Sequence, residues 1–237
     1  MSDWKPKRFW KNASAGPCEG GYTVTLDDRP VKTPAKAALV VPTLALAEAI
    51  AREWDAQEEV LDPGTMPVTR GANAAVDKVS VQRAEVIAML AEYGDSDLLC
   101  YRAAGPEGLI AQQAAAWDPL LDWAAETLNA RLFVGEGVMH VAQKPEALER
   151  LRAELDKLSA FEIAAAHDLV SLSGSLVLAL AVMKEAITPE KAWDVSRVDE
   201  HWQIAQWGED EEAAAAELIK RAAFLDAARF YDMSRQP

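Results

Sequence analysis

The side chains of this 237-residue chain that could do chemistry are three histidines, two cysteines and a cluster of acids near the C-terminal end, and their spacing closes off most of the usual reactions. None of His140, His167 and His201 stands three residues after a Glu, so the E-x-x-H pattern of di-iron helices is missing. Cys18 and Cys100 lie 82 positions apart, which rules out a C-x-x-C redox pair and any multi-cysteine zinc site. The chain has no G-x-x-x-x-G-K-[ST] phosphate loop, no G-x-G-x-x-G fingerprint, no G-x-S-x-G elbow and no H-E-x-x-H helix. The expectation is therefore a protein with no catalytic residue, no metal and no cofactor. His167 beside Asp168 reads as a hydrogen-bonded structural histidine. Glu200 and His201 are neighbours in sequence, but adjacent helix residues point in different directions and do not form a ready dyad. An enzyme or a small-ligand protein built on an acidic interdomain cleft around Glu200 and His201 stays open as the alternative.

The segment from Asp199 to Glu212 mixes aromatic, amide and acidic residues around one glycine, Gly208. Gly208 reads as a helix C-cap, with Glu209 to Glu212 in the first turn of the last helix, where acids suit the helix dipole. Glu200, Gln203 and Trp207 recur at helical spacing and share a face. A protein-binding surface and a solvated helix end fit that pattern equally.

Tryptophan is abundant, with eight residues against four Tyr and five Phe. Trp117 and Trp123 read as core of one amphipathic helix. Trp4 and Trp10 sit among Lys5, Lys7, Arg8 and Lys11, and are expected to be partly exposed, as a cation–aromatic contact surface or as a sheet edge guarded by charge.

The elements that must carry these residues divide in two. Residues 1–36 hold a net charge of +3 and leave −17 for the other 201. Composition turns at nearly the same place, from β-branched residues, Gly and Pro to Ala, Leu and Glu. Strands are expected at 8–11, 22–26, 29–32 and 38–41, with turns at Gly16-Pro17, Gly20-Gly21 and Asp27-Asp28. A helix over 43–59 follows, with Thr43 as N-cap and Leu46, Ile50 and Trp54 on its apolar face. Helices are then expected at 68–78, 81–93, 106–128, 145–158, 161–186, 189–207 and 209–231, with a lone strand at 131–134. The fold class expected is α+β: a small N-terminal β-rich domain with one helix, residues 1–66, and a larger all-helical C-terminal domain, residues 67–237.

The overall charge of −14 and pI near 4.7 disfavour a nucleic-acid partner. The longest apolar stretch, 169–183, falls short of the roughly 20 residues that span a bilayer, so no stable membrane insertion is expected. Neither a signal core nor an amphipathic leader is evident at the start, so the chain is expected to be cytoplasmic, in a reducing compartment, or else already processed.

Arg8-Phe9-Trp10-Lys11, Gly20-Gly21-Tyr22, Lys32-Thr33-Pro34, Glu53-Trp54-Asp55-Ala56-Gln57, Asp97-Leu98-Leu99-Cys100-Tyr101-Arg102, Trp117-Asp118-Pro119 and Gln203-Ile204-Ala205-Gln206-Trp207-Gly208 stand in one order along the chain. In that order they resemble the assembly chaperones of the F-type ATP synthase that handle its alpha subunit, over residues 4–231. The resemblance implies a two-domain, non-enzymatic protein that binds newly made alpha subunit and prevents its aggregation before it pairs with beta. It implies a bacterial cytoplasmic member, since eukaryotic relatives work in the mitochondrial matrix behind a leader. It places partner contacts on Glu200, Gln203, Trp207, Glu209 and Glu211, with secondary contacts at Trp10 and Trp54; Trp54 and Gln57 can equally be structural.

Overall fold

The alternating residues Tyr22-Thr23-Val24-Thr25-Leu26 build the centre of the only three-stranded sheet among the described residues. The computed structural model describes residues 7–235. Strand β2, Gly21–Leu26, pairs antiparallel with β1, Ala13–Cys18, and with the short β3, Arg29–Pro30. The turn expected at Gly16-Pro17 does not form; both residues lie in β1, where Gly16 pairs with Thr23 and Pro17 with Tyr22. Proline lacks an N–H for a second neighbour, and an edge strand does not need one. The expected strands at 8–11 and 38–41 reduce to single bridges, Lys7 with Val60, Lys32 with Ala38 and Tyr22 with Val41. A Cβ on Gly21 would collide with the Val41 carbonyl, the group that accepts the Tyr22 N–H.

Helix α1, Leu44–Asp55, packs on β1 and β2. Thr43 caps it as expected: its Oγ accepts from the Leu46 N–H at 3.1 Å and donates to the Met233 carbonyl at 2.6 Å. Leu46 and Ile50 are fully buried on its inner face. At its far end Glu53 accepts the N–H groups of Val68 and Thr69, both at 2.7 Å. That carboxylate anchors helix α2, Pro67–Ala74, at the end where the dipole favours it. Gln57 is buried, donating to the Glu53 carbonyl and to Thr65 Oγ and accepting from the Asp62 N–H.

The basic arm is spent on its own chain. Arg8 donates to the carbonyls of Trp10, Lys11, Asp55 and Gln57, and its guanidinium lies 5.5 Å from the Trp10 ring. Asp27 accepts the N–H groups of Lys11 and Asn12, and these bonds hold its carboxyl below the usual range. Trp10 is 5% exposed and packs edge-on against the half-buried Trp54, which corrects the expectation of an exposed ring. Phe9 takes the outer place, and Trp4 lies outside the described residues.

The chain forms two compact units. The first takes residues up to Arg83, Ser159–Ala165 and those from Arg229 onward; the second takes Ala84–Leu158 and Ala166–Ala228. The second unit is largely helical. It contains α3, Arg83–Glu92, from its second residue on; α4, Glu107–Thr127; α5, Pro145–Asp156; and most of α6, Ala160–Ser173. α7, Leu176–Met183, α8, Pro189–Ser196, α9, Val198–Trp207, and most of α10, Glu211–Arg235, complete it.

Two expected long helices are each broken once. The 161–186 helix ends at Gly174, whose φ of +74° a residue with a side chain adopts only with strain. Ser175 then caps α7, its Oγ accepting from the Leu178 N–H at 3.0 Å. The 189–207 helix breaks at Arg197, whose side chain is drawn onto the Leu172 carbonyl at 3.1 Å. The lone strand expected at 131–134 is instead a two-residue strand, β5, Gly135–Glu136, lying parallel to β4, Tyr101–Arg102. Every residue of α7 is buried, and Asp97 receives its first turn. This buried carboxylate accepts from Ser175 Oγ at 2.7 Å, the Val177 N–H at 3.0 Å and the Leu99 N–H at 3.1 Å. Among the described residues no helix is long and apolar enough to cross a membrane.

Candidate functional site

The site is built outward from α4. Trp117 on α4 is 1% exposed, and its indole N–H donates to the Val195 carbonyl at 2.9 Å, which fixes the end of α8. Arg197 follows. Its guanidinium stacks 4.8 Å from the Trp193 ring, and Nη1 meets Glu200 at 2.9 Å. The chain thereby turns into α9.

α9 has no fully buried residue, and it packs on α4 through half-buried side chains. Gln113, buried on α4, donates to Asp199 Oδ1 at 2.6 Å and accepts from the Ala103 N–H at 2.8 Å. The half-buried Trp202 ring lies over Gly108 of α4, where a Cβ would sit 2.6 Å from Trp202 Cη2. His201 reaches Glu217 of α10 at 3.6 Å. Glu200 and His201 thus point to different partners, as their adjacency implies, and the acid–imidazole pair does not form. An open cleft of about 210 Å³ lies beside His201, lined from α4 by Gln112 and Ala116 and from α8 by Lys191 and Asp194. His167 bonds Asp168 at 2.9 Å and is half exposed. Among the described residues no group of three His, Cys, Asp or Glu side chains could hold a metal ion. Burial pushes the Cys100 thiol up to about 12, which leaves it unreactive at neutral pH.

At the end of α9, Gly208 has a φ of +88°, the positive value expected, although its ψ of 168° is extended rather than left-handed helical. The last helix starts later than the sequence suggested. Asp210 caps it through Oδ1 to the Ala213 N–H at 2.8 Å, so Glu209 stands outside the helix while Glu211 and Glu212 fill its first turn.

The structure leaves all five expected contact residues, Glu200, Gln203, Trp207, Glu209 and Glu211, on the surface. Trp207 is 79% exposed. Glu209, Glu211 and Glu212 make no side-chain hydrogen bond or ion pair among the described residues. From Val198 to Ile219 the chain carries seven acids and no Lys or Arg. Two large apolar residues farther along α10 are also exposed, and sequence reading does not single them out: Leu218, 68% exposed, and Ile219, 73% exposed. Their signal is a spacing error. They precede the buried Phe224 by six and five residues, off the three-, four- and seven-residue steps that define an inner stripe. A large exposed indole, flanked in sequence by unpaired carboxylates and followed on α10 by two exposed aliphatic side chains, offers groups that can receive an apolar protein segment.

The chain as a whole has relatives among known proteins. Residues 7–125 match the family described as ATP12 chaperone protein. The mitochondrial protein atp12 of Schizosaccharomyces pombe is 26% identical over 219 residues, covering 87% of this chain and 75% of that one. The crystal structure of Atp12 from Paracoccus denitrificans is 49% identical, covers 98% of this chain and 100% of that one, and superposes with a TM-score of 0.94. A point mutant of the same Paracoccus protein matches equally, with 49% identity, 99% and 100% coverage and a TM-score of 0.94.

Proposed function

Because this chain belongs to the ATP12 chaperone protein family, we propose that it holds the unassembled alpha subunit of an F-type ATP synthase and prevents its aggregation until beta takes its place. The observation that carries the reading to this surface is the exposed Trp207, at the end of a helix with no fully buried residue and just ahead of the unpaired Glu209, Glu211 and Glu212. A subunit without its neighbours exposes a large apolar interface, which is an association hazard. Covering that interface takes apolar contact, and giving it up takes contact of limited strength. Glu200, Gln203, Trp207, Glu209 and Glu211 make the client contact in this proposal, and no bond is made or broken. Exchange for beta then follows by competition, without nucleotide hydrolysis. The reading also takes the bacterial cytoplasm as the site of action.

The test is light scattering of isolated alpha subunit as it aggregates, without nucleotide, at increasing ratios of this protein. Suppression near equimolar ratio is expected, and later addition of beta should release the chaperone. Unchanged aggregation at several-fold molar excess would overturn the proposal.

A further inference from the structure

Gly108 is hard to explain from its own helix. It sits exposed in the first turn of α4, where alanine would strengthen the helix by restricting the unfolded chain. Its φ is not in the left-handed region, so no backbone need selects glycine. What the missing side chain leaves room for is a neighbour. An added Cβ would stand 2.6 Å from Trp202 Cη2 and 3.1 Å from Cζ3, the outer edge of the indole.

That edge is the far end of a side chain, free to swing, so relieving the clash costs the fold little. It costs α9 its seat. The helix has no fully buried residue, and its contacts with α4 include this ring and the bond from Gln113 Nε2 to Asp199 Oδ1 at 2.6 Å. The open cleft beside His201 leaves it unsupported along one side. Trp202 stands one residue before Gln203 and two after Glu200, so when its ring loses its place on Gly108 and α9 shifts on α4, both members of the proposed contact face move together with Trp207.

We infer that Gly108 and Asp199 are positioning residues for client capture: Gly108 by admitting the Trp202 ring, Asp199 by accepting the Gln113 amide, they fix the α9 face without touching the client themselves. This rests on the proposed reading of that face as the client surface. It separates two quantities that a purely structural role would join, because Gly108→Ala leaves melting unchanged or raised while capture falls.

The experiment measures alpha-subunit capture, thermal melting and amide hydrogen exchange on the full-length protein and four variants. Gly108→Ala should weaken capture at least fivefold with no fall in melting temperature, and should speed exchange within 199–207. Adding Trp202→Phe to Gly108→Ala removes the outer ring of the indole and should bring capture within twofold of the parent. Asp199→Asn and Asp199→Ala lose the same charge, but only the first keeps an acceptor for Gln113, so capture should survive in the first and drop in the second.

Parental capture by Gly108→Ala overturns the inference, and so does a capture loss that tracks a lower melting temperature or that Trp202→Phe leaves unrescued. If the parent itself fails to capture alpha subunit, the proposed function falls instead, and the exchange data alone decide the positioning. Faster exchange confined to 199–207 and reversed by Trp202→Phe supports it. Unchanged exchange refutes it.

Discussion

Replacing Asp97 by Asn should erase one specific pH dependence of stability. Asp97 is fully buried, and burial pushes its carboxyl from 3.8 up to about 6, against the opposing pull of the Val177 N–H, Ser175 hydroxyl and Leu99 N–H bonds. The unfolded chain releases this proton near 3.8, and the folded chain holds it to about 6. Between those values the native state binds more protons, so stability is higher at the acid end and falls as pH rises through the window. With about 1.4 kcal/mol per pH unit, the gap of roughly two units amounts to about 3 kcal/mol. Asn has no proton to exchange. Urea unfolding of the two proteins at pH 7, 6, 5 and 4, followed by the fluorescence of the eight tryptophans, measures the difference directly. Parent minus Asp97→Asn should move by most of that, about 2 kcal/mol, in favour of the parent from pH 7 to pH 4, since the remainder appears only below 3.8. Because other carboxylates are common to both proteins, their titrations cancel. A flat difference, or one that moves against the parent in acid, refutes the reasoning. It would mean that the three donors outweigh burial and keep Asp97 ionised.

Trp207→Ala removes an indole that is 79% exposed, so unfolding free energy should stay within about 0.5 kcal/mol of the parent. Affinity for alpha subunit, measured by calorimetry, should drop about tenfold or more, and an unchanged affinity removes Trp207 from the contact. Glu53→Gln keeps the shape of a side chain that accepts two backbone N–H groups and the Thr69 hydroxyl, but removes the charge at the start of α2. A loss of about 2 kcal/mol in denaturant unfolding is expected. A loss under about 0.5 kcal/mol would show that the helix start needs no anion there.

How far the sequence could be read depended on whether the deciding interaction is local. β2 is legible because Thr23, Val24, Thr25 and Leu26 alternate within the strand itself, and the start of α1 is legible because Thr43 supplies its own cap. β1 is not, since Gly16 and Pro17 imitate a turn and only pairing with Thr23 and Tyr22 makes them strand. The break at Gly174 hides inside an apolar run, although Gly174 followed by the capping Ser175 is a local signal that outweighs hydropathy. The break at Arg197 has no local signal: its side chain is drawn to Leu172, 25 residues earlier. Trp10 looked like surface because it stands among basic residues, yet Arg8 turns its guanidinium inward onto four carbonyls and covers that ring. At the site, Glu200, Gln203 and Trp207 were found by periodicity, while Leu218 and Ile219 were passed over because apolar residues on a helix are taken for core unless their spacing is checked against a buried anchor.

The client surface proposed above also implies how a client would be held. Full burial of Trp207, Leu218 and Ile219 is worth roughly 5–9 kcal/mol in all, whereas association costs about 4–15 kcal/mol in lost freedom before any contact is made. Apolar contact alone therefore leaves weak binding at best, and the four consecutive acids from Glu209 to Glu212 must add attraction or speed encounter if capture is to be useful. Both effects are screened over about 10 Å at 0.1 M salt and about 3 Å at 1 M. Alpha-subunit affinity should accordingly weaken severalfold between 0.05 and 0.5 M sodium chloride, and the slope should shrink in Glu211→Gln. Apolar contact strengthens slightly, if anything, in salts excluded from protein surfaces, so a capture that is insensitive to sodium chloride would place the client on the apolar residues alone and take the acids out of the interface.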